Sequence, residues 1–299
     1  NKYCYISIRP LPPFFEHRHR IVYSKVEIVN DINEIQHPAV RGVLTDKGTD
    51  VGLEIHHDGD LPARSGLGSS SSFTVGLLHA LSALNGRMIE KKQLAGDAIR
   101  IEQQVLKEHV GCQDQVWAAF GGLNRIEFLK NGDFDVQPAI ISADRRQELV
   151  SNLVLYFTGF SRFASEIAKK QIDNLDRREK HLIAMAGMVN EALEILRSSI
   201  RPIREIGELL HESWQLKREL ADNVTTPEID DIYQAARDAG AVGGKLLGAG
   251  GGGFMALFVE PGKQAAVDER LQKLVRVNVG IDDVGSKIVV YEPAGLENR

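Results

Sequence analysis

The chain has 299 residues, 43% of them hydrophobic and 26% charged, with a formal net charge of −5. That balance excludes a polycation drawn to nucleic acid or to an anionic membrane surface, and no apolar run reaches the length of a membrane-spanning helix. Two cysteines, Cys4 and Cys112, exclude a disulfide framework and fit a reducing, cytoplasmic setting.

Asn1 to Ile8 alternates as a strand does, with neither a signal-peptide pattern nor an initiator Met. The numbered chain is therefore expected to start inside a sheet. Arg9-Pro10-Leu11-Pro12-Pro13 breaks the strand. In His17-Arg18-His19-Arg20 the arginines favour an exposed edge over a metal site, which needs more ligands. Ile21 to Ile28 reads as a second strand and Ala39 to Leu44 as a short helix. Val51 to Ile55 reads as a third strand, with His56 and His57 at its solvated end.

Next comes Leu61-Pro62-Ala63-Arg64-Ser65-Gly66-Leu67-Gly68-Ser69-Ser70-Ser71-Ser72, and then a helical pattern to Leu84. A Gly/Ser loop between a strand and a helix aims backbone N–H groups and the positive end of the helix dipole at one spot, which suits a phosphate. Gly66 and Gly68 allow close backbone approach and positive φ. The four serines can add donors or hold Mg²⁺. A solvated turn with an N-cap serine is the plain alternative.

Glu90 to Glu108 reads as an amphipathic helix with Glu102 near its apolar stripe. After Gly111, Asp114 to Phe120 starts a new short helix, with Asp114 a candidate N-cap. One straight helix would hold Glu102 and Asp114 about 18 Å apart at roughly 1.5 Å per residue; the break at Gly111 can fold them together. Leu123 to Phe128 is a strand followed by an Asn131-Gly132 hairpin turn. Leu149 to Phe157 is another, ending in Thr158-Gly159-Phe160-Ser161-Arg162. Ala164 to about Leu220 is helical, broken at Arg201-Pro202. Thr226 caps a helix with Pro227 at its first position.

A second glycine cluster spans Gly243 to Gly253. It is not a P-loop, since Leu246 stands where a hydroxyl should follow Lys245. Its Gly248-x-Gly250-x-x-Gly253 precedes the strand Phe254 to Val259, the reverse of a dinucleotide fingerprint, which counts against a dinucleotide oxidoreductase. Close approach of its backbone to a ligand or another loop is the better account. The chain ends with a helix from Lys263 to Leu274 and a strand from Ser286 to Tyr291.

Together these pieces resemble the GHMP kinase family of small-molecule kinases. Pro62 to Ser72 is similar to the family's Pro-x-x-x-Gly-Leu-Gly-Ser-Ser loop, and Lys245 to Phe254 to its C-terminal glycine motif. Glu102 and the Gly-x-x-Asp-Gln run from Gly111 to Gln115 are spaced as in galactokinase-like members. The resemblance implies a two-domain α+β fold. Residues 1–150 would form an N-terminal domain like ribosomal protein S5 domain 2, lacking its first strands. Residues 151–299 would form a ferredoxin-like C-terminal domain, with the site between the two. It also implies ATP and Mg²⁺. Pro62, Gly66, Leu67, Gly68, Ser69, Ser70 and Ser71 would hold the β- and γ-phosphates, with Ser70 and Glu102 as Mg²⁺ ligands. Asp114 would orient and deprotonate the acceptor hydroxyl. Gly250, Gly251 and Gly252 would support the phosphate loop and close over the substrate.

Asn1 to Tyr5, Phe157 to Ser165 and Leu209 to Lys217 resemble the family's bacterial heptose 7-phosphate kinase branch. That implies a sugar phosphate acceptor with the anomeric hydroxyl as its reacting group. An acceptor that already bears a phosphate needs a cation, and Arg162, just after the Thr158-Gly159 strand end, is the first candidate for that substrate contact, with a surface arginine capping a charge-rich helix as the plain alternative. A homodimer is the oligomer considered. The family's N-terminal sugar-binding motif is not in this sequence, which leaves other sugars and a non-catalytic sugar sensor as rival readings.

Overall fold

The computed structural model describes residues 1–63, 65–159 and 164–292. Two compact units share the chain. One holds residue 1, residues 64–67 and Leu123–Ile281. The other holds Lys2–Ala63, Gly68–Gly122 and the stretch from Asp282 onward. This partition by contacts is interleaved, whereas a boundary at residue 150 is a single cut.

In the unit that contains Gly68, a four-stranded sheet is built from β1 (Cys4–Pro10), β2 (His19–Val22), β3 (Val26–Val29) and β4 (Leu53–Gly59), in the order β1-β4-β2-β3. The stretch expected as one strand from Ile21 is a hairpin. Tyr23 N–H donates to Lys25 O (2.8 Å), and Ile21 pairs with Glu27. Alternation alone does not reveal a reversal this tight. Glu54 is buried at the sheet's centre because Arg9 and Arg20 lie opposite it on the two neighbouring strands. Arg9 Nε (2.7 Å) and Arg20 Nη1 (3.2 Å) both donate to its carboxylate. His19 is not on an exposed edge: it is buried, and its Nδ1 accepts from Leu53 N–H (3.3 Å). Among the described residues no group of three or more His, Cys, Asp or Glu could hold a metal ion.

The helices of this unit are α1 (Pro38–Asp46), α2 (Ser69–Leu84), α3 (Lys91–Arg100) and α4 (Gln113–Phe120). They bury Val40, Val43, Leu44, Leu77, Leu78 and Leu94 with Leu53 and Ile55 of the sheet. Helix α2 packs on β1 and on α4, and α3 packs on α4. The strand expected at Ser286 does not form. Ser286 N–H donates to Ala118 O (2.9 Å), and its Oγ pairs with His79 Nδ1 (2.9 Å).

In the other unit, β5 (Asn124–Phe128) and β6 (Phe134–Pro138) form the expected hairpin. Helix α5 (Ala143–Asn152) delays the next strand, β7, to Leu153–Gly159, because Ser142 Oγ caps it by accepting from Arg145 N–H (3.2 Å). Helices α6 (Ala164–Asp173), α7 (Glu179–Arg197), α8 (Arg204–Arg218) and α9 (Pro227–Asp238) follow. Thr226 caps α9 as expected, its Oγ1 accepting from Ile229 N–H (3.3 Å). Then come β8 (Gly243–Leu246), β9 (Gly253–Phe258), α10 (Gln264–Arg270) and β10 (Val275–Asn278). The sheet order β10-β7-β9-β8, antiparallel throughout, is the ferredoxin-like arrangement. The last helix stops at Arg270, short of Leu274, and Val275–Asn278 takes the free edge of β7. No helix among the described residues is long and apolar enough to cross a membrane.

Candidate active site

The order strand, loop, helix holds, but the strand runs over Leu53–Gly59 rather than Val51 to Ile55, and the helix begins at Ser69, so the four serines form its first turn instead of the end of the loop; the Gly/Ser stretch is divided between the two units. Its second half opens α2. Gly68 precedes the helix in the left-handed region (φ 67°, ψ 24°), and no side chain caps the helix start. The first N–H groups of an uncapped helix lack intrahelical acceptors and carry the positive end of the dipole, so this end is chemically suited to an anion. Ser69 is the first helical residue, Ser70 is exposed and Ser71 is buried.

Glycine is required at position 68 for a second reason. A Cβ there would lie 2.9 Å from Cγ and 3.0 Å from Oδ2 of Asp114. Asp114 is not the N-cap of α4, a place held by Cys112; it lies in the helix's first turn. Its side chain remains open to solvent, yet no hydrogen bond among the described residues engages its carboxylate. The protein atoms around it partly desolvate the group and raise its carboxyl above the usual value. An unpaired carboxylate with raised basicity, set against the start of α2, is equipped to take a proton.

Glu102 lies in a π-helical turn, Ile101–Val105, that continues α3 and is fully buried. Such turns frequently mark functional sites. Ser71 Oγ donates to Glu102 Oε2 (2.9 Å), and Gln115 Nε2 donates to the same oxygen. The break at Gly111 therefore does fold the two helices together. Oε1 of Glu102 is buried with no hydrogen-bond partner, as is Oε1 of Gln115. A buried carboxylate oxygen without a donor is costly unless a cation or water meets it. The donor set fits Mg²⁺, which takes few protein oxygens and completes its shell from phosphate and water. The hydroxyl that touches Glu102 is that of Ser71, not Ser70. Gln115 was legible only as the neighbour of Asp114 in the motif.

The loop's first half lies in the other unit, where it meets the second glycine cluster backbone to backbone. Ser65 is fully buried, and a Cβ on Gly253 would lie 2.3 Å from its carbonyl oxygen. A Cβ on Gly66 would lie 2.9 Å from Leu247 O, and one on Gly248 would lie 2.7 Å from Gly66 Cα. Close approach explains these glycines, as expected, but through Gly248 and Gly253. Gly250 and Gly251 rest on Val224 instead, with Gly251 N–H donating to Val224 O (3.0 Å). Gly252 is held at φ 148°. Thr158 Oγ1 donates to Gly253 O (2.9 Å), and Gly159 pairs with Gly253 across a register shift. Both thus brace the glycine turn. Arg162 lies outside the described residues. Pro62 is exposed and lies outside any helix or strand, and Leu67 is half-buried.

Models of two parts of one family match the chain: GHMP kinases N terminal domain over residues 33–122 and GHMP kinases C terminal over residues 190–276. The D-glycero-alpha-D-manno-heptose 7-phosphate kinase of Campylobacter jejuni is 35% identical over 222 residues, which cover 74% of this chain and 65% of that protein. The mevalonate kinase of Pyrococcus horikoshii is 30% identical over 236 residues, covering 77% of this chain and 66% of that one. The chain thus spans slightly under two thirds of the length of each. Among solved structures, a D-glycero-D-manno-heptose 1-phosphate kinase from Bacteroides thetaiotaomicron superposes with a TM-score of 0.72 at 25% identity, covering 98% of this chain and 89% of the other.

Proposed function

The chain belongs to the GHMP kinase family, and from that premise we propose that it transfers the γ-phosphoryl group of ATP to a sugar hydroxyl. The observation that carries this reading is the unpaired Asp114 carboxylate lying against Gly68 at the uncapped start of α2. The acceptor we assign is the anomeric hydroxyl of D-glycero-D-manno-heptose 7-phosphate, giving the 1,7-bisphosphate. Its support is the 35% identity to a kinase of that name.

The roles follow from the chemistry. Phosphoryl transfer is governed by positioning and charge neutralisation. Backbone N–H groups at the start of α2 donate to terminal phosphate oxygens. Mg²⁺, when bound, neutralises charge on the phosphates. Its protein ligands are Glu102, through the oxygen that has no other partner, and Ser70. Ser71 and Gln115 hold the remaining oxygen of Glu102 in place. Asp114 takes the proton from the acceptor hydroxyl as that oxygen forms its bond to phosphorus. The bond from phosphorus to the bridging oxygen breaks, and ADP leaves with the electron pair.

Phosphorus NMR of a panel of sugars and sugar phosphates incubated with Mg-ATP tests this. A new anomeric phosphate on heptose 7-phosphate alone is expected. Preference for galactose, fucose or an unphosphorylated heptose would overturn the acceptor and keep the kinase. No transfer to any sugar, with sugar binding retained, would leave a sugar sensor.

A further inference from the structure

Lys217 lies in the last turn of α8 and is only 9% exposed. Among the described residues it has no carboxylate partner. Its Nζ donates to Leu246 O (3.0 Å) and to Gly248 O (2.5 Å). A buried ammonium that faces only neutral carbonyls destabilises the fold relative to an apolar side chain of similar length. Desolvation, with the nearby Lys245 adding to it, pushes its pKa down to about 7. A neutral amine still offers two N–H donors, so both contacts survive loss of the proton.

The two carbonyls flank Leu247. Its N–H donates to Phe254 O (2.9 Å), and its carbonyl is the atom that a Cβ on Gly66 would meet. The next carbonyl, Ala249 O, accepts from Gln171 Nε2 (2.9 Å). In a trans peptide the C=O and the following N–H point in opposite directions. Side-chain donors to the carbonyls of residues 246, 248 and 249 therefore restrict how the peptide units of that segment turn toward Ser65 and Gly66. Glycines at 248 and 250–253, all with positive φ, would otherwise give the turn more freedom than any other residue type.

We propose that Lys217 is a positioning residue: by tying Leu246 O to Gly248 O it locks the glycine turn and, through it, the Ser65–Gly66 backbone of the phosphate loop. The expected link from that backbone to nucleotide affinity rests on the kinase reading. The lock itself does not.

The test compares the wild-type chain with Lys217→Met and Lys217→Arg. Hydrogen exchange without nucleotide should quicken about tenfold or more in Lys217→Met, in peptides covering 246–253 and 65–68, while α8 and β9 keep their protection. ADP affinity by calorimetry should fall about tenfold, and Lys217→Arg, which keeps charge and donors, should recover most of both. Unchanged exchange in those peptides, or exchange faster by the same factor everywhere, would overturn the proposal. Should Lys217→Met fail to fold, Lys217→Gln, with one donor pair left, is expected to show the same localised change. A wild-type chain that binds no nucleotide would remove the kinase reading and leave the exchange comparison standing.

Discussion

Asp114 and Gly68 are in direct contact: the space a Cβ would take on Gly68 is filled by the Asp114 carboxyl group. The start of α2 and the candidate base are thereby held at one distance by packing. Gly68→Ala must move Asp114 and also force alanine to φ 67°. The left-handed conformation alone costs about 1–2 kcal/mol. A drop in stability of that size by urea unfolding is expected, with turnover lost more steeply than nucleotide affinity. Wild-type turnover in Gly68→Ala would mean that this spacing is irrelevant to catalysis.

Asp114→Asn should lower kcat by about 10²–10⁴, the usual contribution of a positioned base, with ADP still bound. Because partial desolvation by the surrounding protein atoms raises the Asp114 carboxyl, the acid limb of the pH–rate profile should sit above the usual aspartate value in the wild type. In the variant it should vanish. Unchanged turnover would remove Asp114 from the mechanism.

Ser71→Ala leaves Glu102 with Gln115 as its remaining donor. A stability loss of about 1 kcal/mol is expected, together with a higher Mg²⁺ concentration for half-maximal nucleotide binding by calorimetry. Gln115→Leu should act in the same direction. A Mg²⁺ dependence identical to the wild type in both would show that Glu102 is not a metal ligand.

Stability should fall on mild acidification. His19, His37, His57, His79 and His211 all have imidazole pKa values lowered, chiefly by burial. The unfolded chain then binds protons first, so their contribution is complete above the unfolded value near 6.5 and is lost as pH falls toward the folded values. Asp114 and Glu108, whose carboxyls are raised by desolvation, act in the opposite direction, and the five histidines outnumber them. The urea midpoint should drop between pH 7.5 and 5.5. A midpoint that holds or rises over that interval would contradict this account.

Thr226→Ala tests the cap of α9, two residues after the Val224 carbonyl that Gly251 N–H meets. Loss of the cap on α9 should cost about 1 kcal/mol with unchanged KM values. A large KM change would give Thr226 a role that its hydrogen bond does not explain.

Features governed by a few neighbouring φ/ψ angles were legible from the residues themselves. The Gly/Ser turn before α2, the Asn131-Gly132 hairpin and the Thr226-Pro227 helix start are of this kind, because local sterics and local hydrogen bonds set them. Glu102 and Asp114 stood out only through the family resemblance, since local geometry alone made one a helix-edge charge and the other an N-cap candidate. Long-range competition decided the rest. Which segment filled the edge beside β7 depended on packing, and Val275–Asn278 took it while Ser286 bonded to Ala118 and His79. Folding across Gly111 chose Ser71 and Gln115 as the partners of Glu102. Gly248 and Gly253, rather than Gly250 and Gly251, met the Ser65–Gly66 backbone, since contact between two backbones far apart in sequence depends on how β8, β9 and α8 stack. Residue order carries no direct mark of that stacking.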